Sequence, residues 1–297
     1  MSMIQAIRQR VRLRRSRRSW RGPQIGVHAT IIILILISLI PVYLMLTLSF
    51  KNPLQYQHER YAISFPLRLS NYSTAWEFIY SYVWNTLLGA AVGFLGMLIL
   101  SVIGGYVFAR LRFPFREPLY YAIIGLMMVP WIITFVPQYV LYNSLGLVNT
   151  LWAVIMLNVA SGPVFGIFLL RSFFSGIPEE LYESARIDGA GHWTLIWRIT
   201  LPLSLPTIAT LAVLNFLWTW NSYLWPLVAI TDKKWQQISV GLFLMARDLS
   251  SNSSTAQELL GGPVFAGYVI ASLPMVILFF FLGKFYVEGL VESGLKV

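Results

Sequence analysis

Residues 183–202 read ESARIDGAGHWTLIWRITLP, a polar, helix-punctuated segment set between two long apolar runs. Upstream, Pro178 stands where a first helical turn accepts proline, and Glu179 and Glu180 suit the positive end of a helix dipole. Leu181, Ala185 and Asp188 follow at helical spacing. Gly189 then stops the helix, because a left-handed C-terminal residue costs least as glycine. A second short helix carries Trp193, Ile196, Trp197 and Thr200, and Pro202 ends it. Two short helices joined at a glycine make a compact knob shaped to sit in a partner's groove. The bland reading of the same residues is an amphipathic connector.

Outward from this knob the chain is apolar. Of its 297 residues 57% are hydrophobic and only 11% charged, where a soluble domain carries about a quarter charged residues. Six runs, each near the ~20 residues that cross a bilayer, lie at 29–50, 83–108, 119–141, 150–170, 203–230 and 264–286. The expected fold is therefore all-α: a polytopic membrane protein with six transmembrane helices. Between the runs lie a polar segment at 51–82, a basic turn at 110–118, a tight turn at 143–149, the knob, and a polar segment at 231–262. The organisation expected is an arginine-rich tail at 1–28, a six-span domain at 29–287 that includes the loop 171–202, and a short tail at 288–297. Gly89-x-x-x-Gly93 and Gly162-x-x-x-Gly166 are candidate helix-packing contacts, since small residues let backbones approach.

The net charge is +10, and eight arginines fall in the first 21 residues. A nucleic-acid-binding arm is one reading of such a run. A topology signal beside a first span is the stronger one, so no nucleic acid is expected. With the N-terminus inside, sixteen Lys and Arg fall on the inner side and six on the outer. Both termini and the knob are therefore expected in the cytoplasm, as an even number of spans requires. The run at 29–50 is too long for a signal-peptide core.

Several classes of chemistry lack their residues. Cysteine is absent, and the three histidines (His28, His58, His192) are far apart in sequence, so no zinc site is expected. The middles of the runs hold essentially no Asp, Glu, Lys or Arg, which argues against ion-coupled carriage. No G-x-x-x-x-G-K-[ST] loop is present to cradle ATP phosphates; GLVESGLK at 289–296 has Leu295 where the lysine would stand. No paired catalytic groups suggest an enzyme. Energy must then come from another polypeptide, unless the chain is an ion-independent secondary carrier or channel.

Glu183, Ser184, Ala185, three residues, Gly189, nine residues, Ile199, Thr200, Leu201 and Pro202 resemble the EAA loop of ABC importer permeases: Glu-Ala-Ala, three residues, Gly, nine residues, Ile-x-Leu-Pro. Ser184 replaces the middle alanine, small for small. The resemblance covers nearly all of the chain after the arginine tail. Ser49-Phe50-Lys51 with Asn71-Tyr72, the LGLVNT turn at 145–150, the approach RSFFSGIPEELYESARIDGA at 171–190 and WNSYLWPL at 220–227 are similar to permeases of maltose-type and glycerol-phosphate-type carbohydrate importers. Ser222 stands where an acid is usual. The resemblance implies a type I importer permease in a bacterial or archaeal inner membrane. Its implied partners are a second homologous permease, two cytoplasmic ATPase subunits that hold the ATP and Mg, and an extracytoplasmic sugar-binding protein. No cofactor is implied for this chain itself. The implied cargo is a sugar, an oligosaccharide or a glycerol-phosphate-like solute, moved by alternating access. Glu183, Ser184, Ala185, Asp188, Gly189, Ile199, Leu201 and Pro202 are then the ATPase-docking residues.

On the fifth run Asn215, Trp218, Ser222 and Trp225 are spaced 3, 4 and 3 and share one helical face. Asn221 lies beside it. Amides suit sugar hydroxyls and indole faces suit C–H surfaces, which makes these residues substrate-path candidates. Asn158 and Ser161 on the fourth run and Asn85 on the second are of the same kind. The competing reading is that Asn joins helices and Trp225 belongs to an interfacial belt.

Overall fold

The computed structural model describes residues 21–248 and 261–294, and every regular element among them is a helix. The arginine run at 8–18, the middle of the 231–262 segment and Lys296 lie outside the described residues. The order is α1 (Arg21–Ser49), α2 (Pro53–His58), α3 (Ser70–Arg110), α4 (Arg116–Gly125), α5 (Trp131–Ser144) and α6 (Trp152–Ser175). Then come α7 (Glu179–Ile187), α8 (His192–Leu203, with a π-helical turn at Ile196–Thr200), α9 (Leu205–Asn221), α10 (Leu224–Ala229), α11 (Ile238–Asp248) and α12 (Gly262–Gly294).

Four helices (α1, α3, α6 and α12) are long and apolar enough to cross a membrane; counting the bent pairs α4–α5 and α8–α9 as one span each gives six. The third run is broken, not continuous. Its halves meet at 96°, because Pro130 biases the preceding Val129 toward extended backbone (φ −77°, ψ 117°) and opens α5 as its cap. The fifth run breaks twice. α8 and α9 meet at 76° across Ser204, and α9 ends at Asn221, with Ser222 extended at ψ 124°. In an unbroken helix the Pro226 ring would collide with the carbonyl of residue 222.

α3 has 41 residues, roughly 60 Å of helix, twice the ~30 Å hydrocarbon thickness. It takes in residues 70–82 of the expected polar segment. α12 likewise runs past 286 to Gly294, through most of what reads as a tail.

α3 and α6 are interlocked. The two glycine pairs face the opposite helix: a methyl at Gly93 would lie 2.9 Å from Asn158 Cβ, at Gly162 2.6 Å from Met97 Cγ, and at Gly166 2.1 Å from Ser101 Oγ. Around this pair sit three apolar clusters. One joins α3, α9, α11 and α12 through Ile79, Tyr82, Trp220, Met245 and Ala266. A second joins α3 and α6 to α7–α9 through Tyr106, Leu170, Phe174, Tyr182 and Leu211. The third sets Trp225 against Tyr142 and Val154.

The segment after α1 is pinned from inside. Lys51 is buried, and its Nζ donates to the Glu59 carbonyl, to the Ala62 carbonyl at 2.6 Å and to Ser64 Oγ at 3.2 Å. Asn71 Nδ2 donates to the carbonyls of Ser49 (2.8 Å) and Lys51 (3.0 Å), and the hydroxyls of Ser49 and Tyr72 meet at 2.8 Å. The short motifs at 49–51 and 71–72 are thus parts of one corner.

Candidate functional site

The loop 171–202 folds into the two-helix knob. α7 begins at Glu179, with Pro178 as its extended cap (φ −55°, ψ 135°), one position before the first turn. It closes in a Schellman motif: Ala190 N donates to Ala185 O at 2.9 Å and Gly189 N to Arg186 O at 3.0 Å. Gly189 has φ +82°, with nothing within 4 Å of where a Cβ would stand. Backbone conformation alone therefore asks for glycine. Pro202 does not end the second helix. It is the last residue but one of α8, just past the π-helical turn, and the chain bends two residues later at Ser204.

The knob has an inner and an outer side. Leu195 and Ile196 are buried, and Ala185, Ile199 and Leu201 pack partly buried against the same cluster. Glu183, Ser184, Asp188, Gly189 and Pro202 are exposed. Glu183 makes no ion pair or hydrogen bond among the described residues, while Ser184 Oγ donates back to the Glu180 carbonyl at 2.9 Å. Large apolar side chains stand out beside them: Ile187 is 86% exposed, Trp197 67% and Trp193 64%. A shallow notch between α7 and α8 is lined by Ala185, Asp188, Gly189, Ala190, Arg198 and Ile199.

What holds the knob to the bundle is Arg110, the last residue of α3. Its guanidinium donates to Glu179 Oε2 at 2.7 Å and to the carbonyls of Phe174 and Ile177, and it lies 4.1 Å from the centroid of the Tyr182 ring. Glu179 also pairs with Arg186 at 3.0 Å. One turn back on α3, the Tyr106 hydroxyl meets His192 Nδ1 at 3.0 Å. Beside them Arg171 on α6 pairs with Glu117 at 2.7 Å and covers the Tyr120 ring, its guanidinium carbon 3.5 Å from the centroid. Sequence reading counts Arg110 and Arg171 only as topology charges, because their partners are tens of residues away.

The substrate-path candidates do not form one face. Asn215 and Asn158 are each 8% exposed and meet inside the bundle. Asn158 Oδ1 accepts from Asn215 Nδ2 (3.3 Å) and Thr219 Oγ1 (3.0 Å), and Asn158 Nδ2 donates to the Val154 carbonyl at 3.1 Å. Asn215 Oδ1 is buried without a partner. Trp218 on the same helix is 74% exposed. Trp225 has left the helix at the Ser222 break; it is buried, with Nε1 donating to the Ala153 carbonyl at 3.0 Å and its ring edge-on to Phe135 and Tyr142. Asn221 is exposed and bonds only its own helix, Nδ2 to the Leu217 carbonyl at 2.7 Å. The Ser222 carbonyl accepts from Ser239 Oγ. Asn85 Nδ2 donates to the carbonyls of Lys234 (2.8 Å) and Gln236 (3.1 Å), a tie between α3 and the segment before α11. Ser161 is exposed on α6. Among the described residues no group of three or more His, Cys, Asp or Glu is placed to hold a metal ion.

Comparison with known proteins agrees with this geometry. The family described as binding-protein-dependent transport system inner membrane component matches residues 101–290. The diacetylchitobiose uptake system permease protein NgcG of Streptomyces coelicolor is 30% identical over 254 residues, 85% of this chain and 82% of that protein. The melibiose/raffinose/stachyose import permease protein MelC of Bacillus subtilis is 31% identical over 261 residues, 86% of this chain and 91% of that protein. Among solved structures, a chain of a bacterial ABC transporter involved in the import of the acidic polysaccharide alginate superposes with a TM-score of 0.82 at 23% identity, over 91% of this chain and 98% of its own.

Proposed function

The chain belongs to the family of inner membrane components of binding-protein-dependent transport systems, and from that membership we propose how its parts serve the import complex. It is a multi-pass permease subunit of an ABC importer, without catalytic chemistry of its own. The knob formed by α7 and α8 is the seat of a cytoplasmic ATPase subunit, with Ile187, Trp193 and Trp197 as the apolar contact and Glu183 and Asp188 as the charges beside it. The observation that carries this is their exposure on a knob whose other side is clamped by Arg110. A free apolar surface on a rigid mount is a contact looking for its partner. Both termini and the knob face the cytoplasm, as the Lys and Arg distribution supports. A second, homologous permease, a second ATPase and an extracytoplasmic solute-binding protein complete the assembly. The cargo is a sugar or oligosaccharide, a reading supported by the named uptake of the two relatives. Trp218 and Asn221, exposed on α9, are the residues of this chain placed to line the path.

The test is photo-crosslinking from Ile187 and Trp197 in the complex purified with its co-encoded ATPase. Both positions are expected to give a product with the ATPase. A complex that co-purifies intact yet yields none from either position would show that the ATPase sits elsewhere.

A further inference from the structure

A buried hydrogen-bonded line runs beneath the knob, from α7 to the foot of α9. Tyr182 lies on the inner side of α7, fully buried, with its ring under the Arg110 guanidinium. Its hydroxyl is 3.0 Å from Thr200 Oγ1. Thr200 Oγ1 also donates to the Leu195 carbonyl five residues earlier, at 3.1 Å, across the π-helical turn Ile196–Thr200. A hydroxyl has one proton, so Tyr182 is the donor between the two. The Thr200 carbonyl accepts in turn from Ser204, from Oγ at 2.6 Å and from N at 3.1 Å. Ser204 is the residue at which α8 and α9 meet at 76°. Thr200 and Ser204 are as fully buried as Tyr182. Among the described residues, Tyr182 to Thr200 is the sole side-chain hydrogen bond between α7 and α8.

We infer that Tyr182 is a positioning residue for transport, the link by which a displacement of α7 reaches the Ser204 bend and so α9. The inference rests on the proposed seating of the ATPase on the knob. The apolar packing around Tyr182 holds the knob together but grips α8 without direction. The hydroxyl adds a directed contact to one side chain, and that side chain closes the π turn next to the bend. Single π turns inside helices often mark functional positions, and here the turn stands between the docking surface and α9, the span that follows the knob. Arg110 makes the second half of the device. It fixes the N-terminal end of α7 to the ends of α3 and α6, so a force on the knob turns α7 about that end and moves Tyr182 against Thr200.

The test uses the whole complex in proteoliposomes, with its ATPases and binding protein. Tyr182→Phe keeps the ring and its stacking on Arg110 and removes only the hydroxyl. Thr200→Val removes the acceptor, and Thr200→Ser restores it. In Tyr182→Phe and Thr200→Val the ATPase is expected to co-purify and hydrolyse ATP as before, while uptake per ATP falls about threefold to tenfold, the range that a single buried hydrogen bond spans. Thr200→Ser should stay close to wild type. The double variant should be no worse than Thr200→Val alone, since that variant already removes the bond that Tyr182→Phe removes. Hydrogen exchange with and without a non-hydrolysable ATP analogue supplies a readout that a merely structural role would not move. In Tyr182→Phe the nucleotide-dependent change in α7 should persist and that in α9 should be lost. Unchanged uptake per ATP in both single variants would overturn the inference, and so would a loss of uptake that only tracks a loss of bound ATPase. An α7 that shows no nucleotide-dependent change even in the wild type would instead count against the docking reading itself.

Discussion

Gly189 allows a substitution series whose ranking follows from one dihedral angle. Its φ is +82°, and a Cβ there would meet nothing within 4 Å, so side-chain crowding does not enter. Asn, which tolerates left-handed backbone, should be nearly silent. Ala should cost about 1 kcal/mol and Val more, because an L residue in this region pays roughly 1–2 kcal/mol and a β-branched one is a true outlier there. Pro is excluded: its ring fixes φ near about −65° and removes the N–H that Gly189 donates to Arg186. Losing that turn would uncouple α7 from α8 and displace Asp188 and Ile187. With about 1.4 kcal/mol per tenfold in population, Ala should lower the docking-competent fraction by at most a few-fold and Pro should abolish coupled uptake. The assay is ATP-driven uptake per assembled complex in vesicles, with ATPase co-purification scored separately. The expected order is Gly, Asn, Ala, Val, Pro. A proline variant that transports like wild type, or an asparagine variant as poor as proline, would refute the reasoning.

Two further outcomes follow from the packing. Gly166→Ala should lower the melting temperature of the detergent-solubilised protein, since its methyl would stand 2.1 Å from Ser101 Oγ and overpacking of this kind costs about 1–3 kcal/mol; adding Ser101→Gly should restore most of it, because the next neighbour, Leu211 Cδ2, is 3.6 Å away. Asn158→Leu should impair assembly by leaving Asn215 Nδ2 and Thr219 Oγ1 without their acceptor, whereas Trp218→Leu should leave assembly intact and lower uptake per complex; the reverse pattern would place the substrate path against the buried face of α9.

The membrane character, the number of apolar runs and the glycine stop at 189 were legible because each depends on neighbours in sequence. Hydropathy reports what a stretch can bury and says nothing of whether the backbone runs straight. Pro130 and Pro226 lay in plain view inside apolar runs, and as proline is tolerated in membrane helices, their presence alone did not separate a kink from a break. Pro41, Pro137, Pro163 and Pro274 sit within helices that continue, while Pro130 caps the start of α5 and Pro226 stands in the first turn of α10. The shared face from Asn215 to Trp225 assumed an unbroken helix, and the Ser222 break removed its last member. Arg110 was out of reach for another reason. Its contacts to Phe174, Ile177 and Glu179 span 64 to 69 residues, and no local rule links an arginine at one helix end to carbonyls at another.

The two interfaces of α6 differ in kind, and the difference bears on movement. Against α3, glycines on both helices admit the opposite side chains so closely that an added methyl at Gly93, Gly162 or Gly166 would overlap them. Such a seam has one register, because sliding along it would drive Met97 and Ser101 into the α6 backbone. Against α9, Asn158 makes the side-chain contact to Asn215 and Thr219. Asn158 Oδ1 takes two donors, one of them at 3.3 Å, its own amide is spent on the Val154 carbonyl, and Asn215 Oδ1 finds nothing. A buried acceptor left unpaired costs about 1–3 kcal/mol, so this node holds α9 less firmly than a satisfied one would. α3 and α6 are thus built to move as one body, and α9, tied to α6 through that under-satisfied node and joined to the knob through the Ser204 bend, can shift against them at lower cost than α3 against α6.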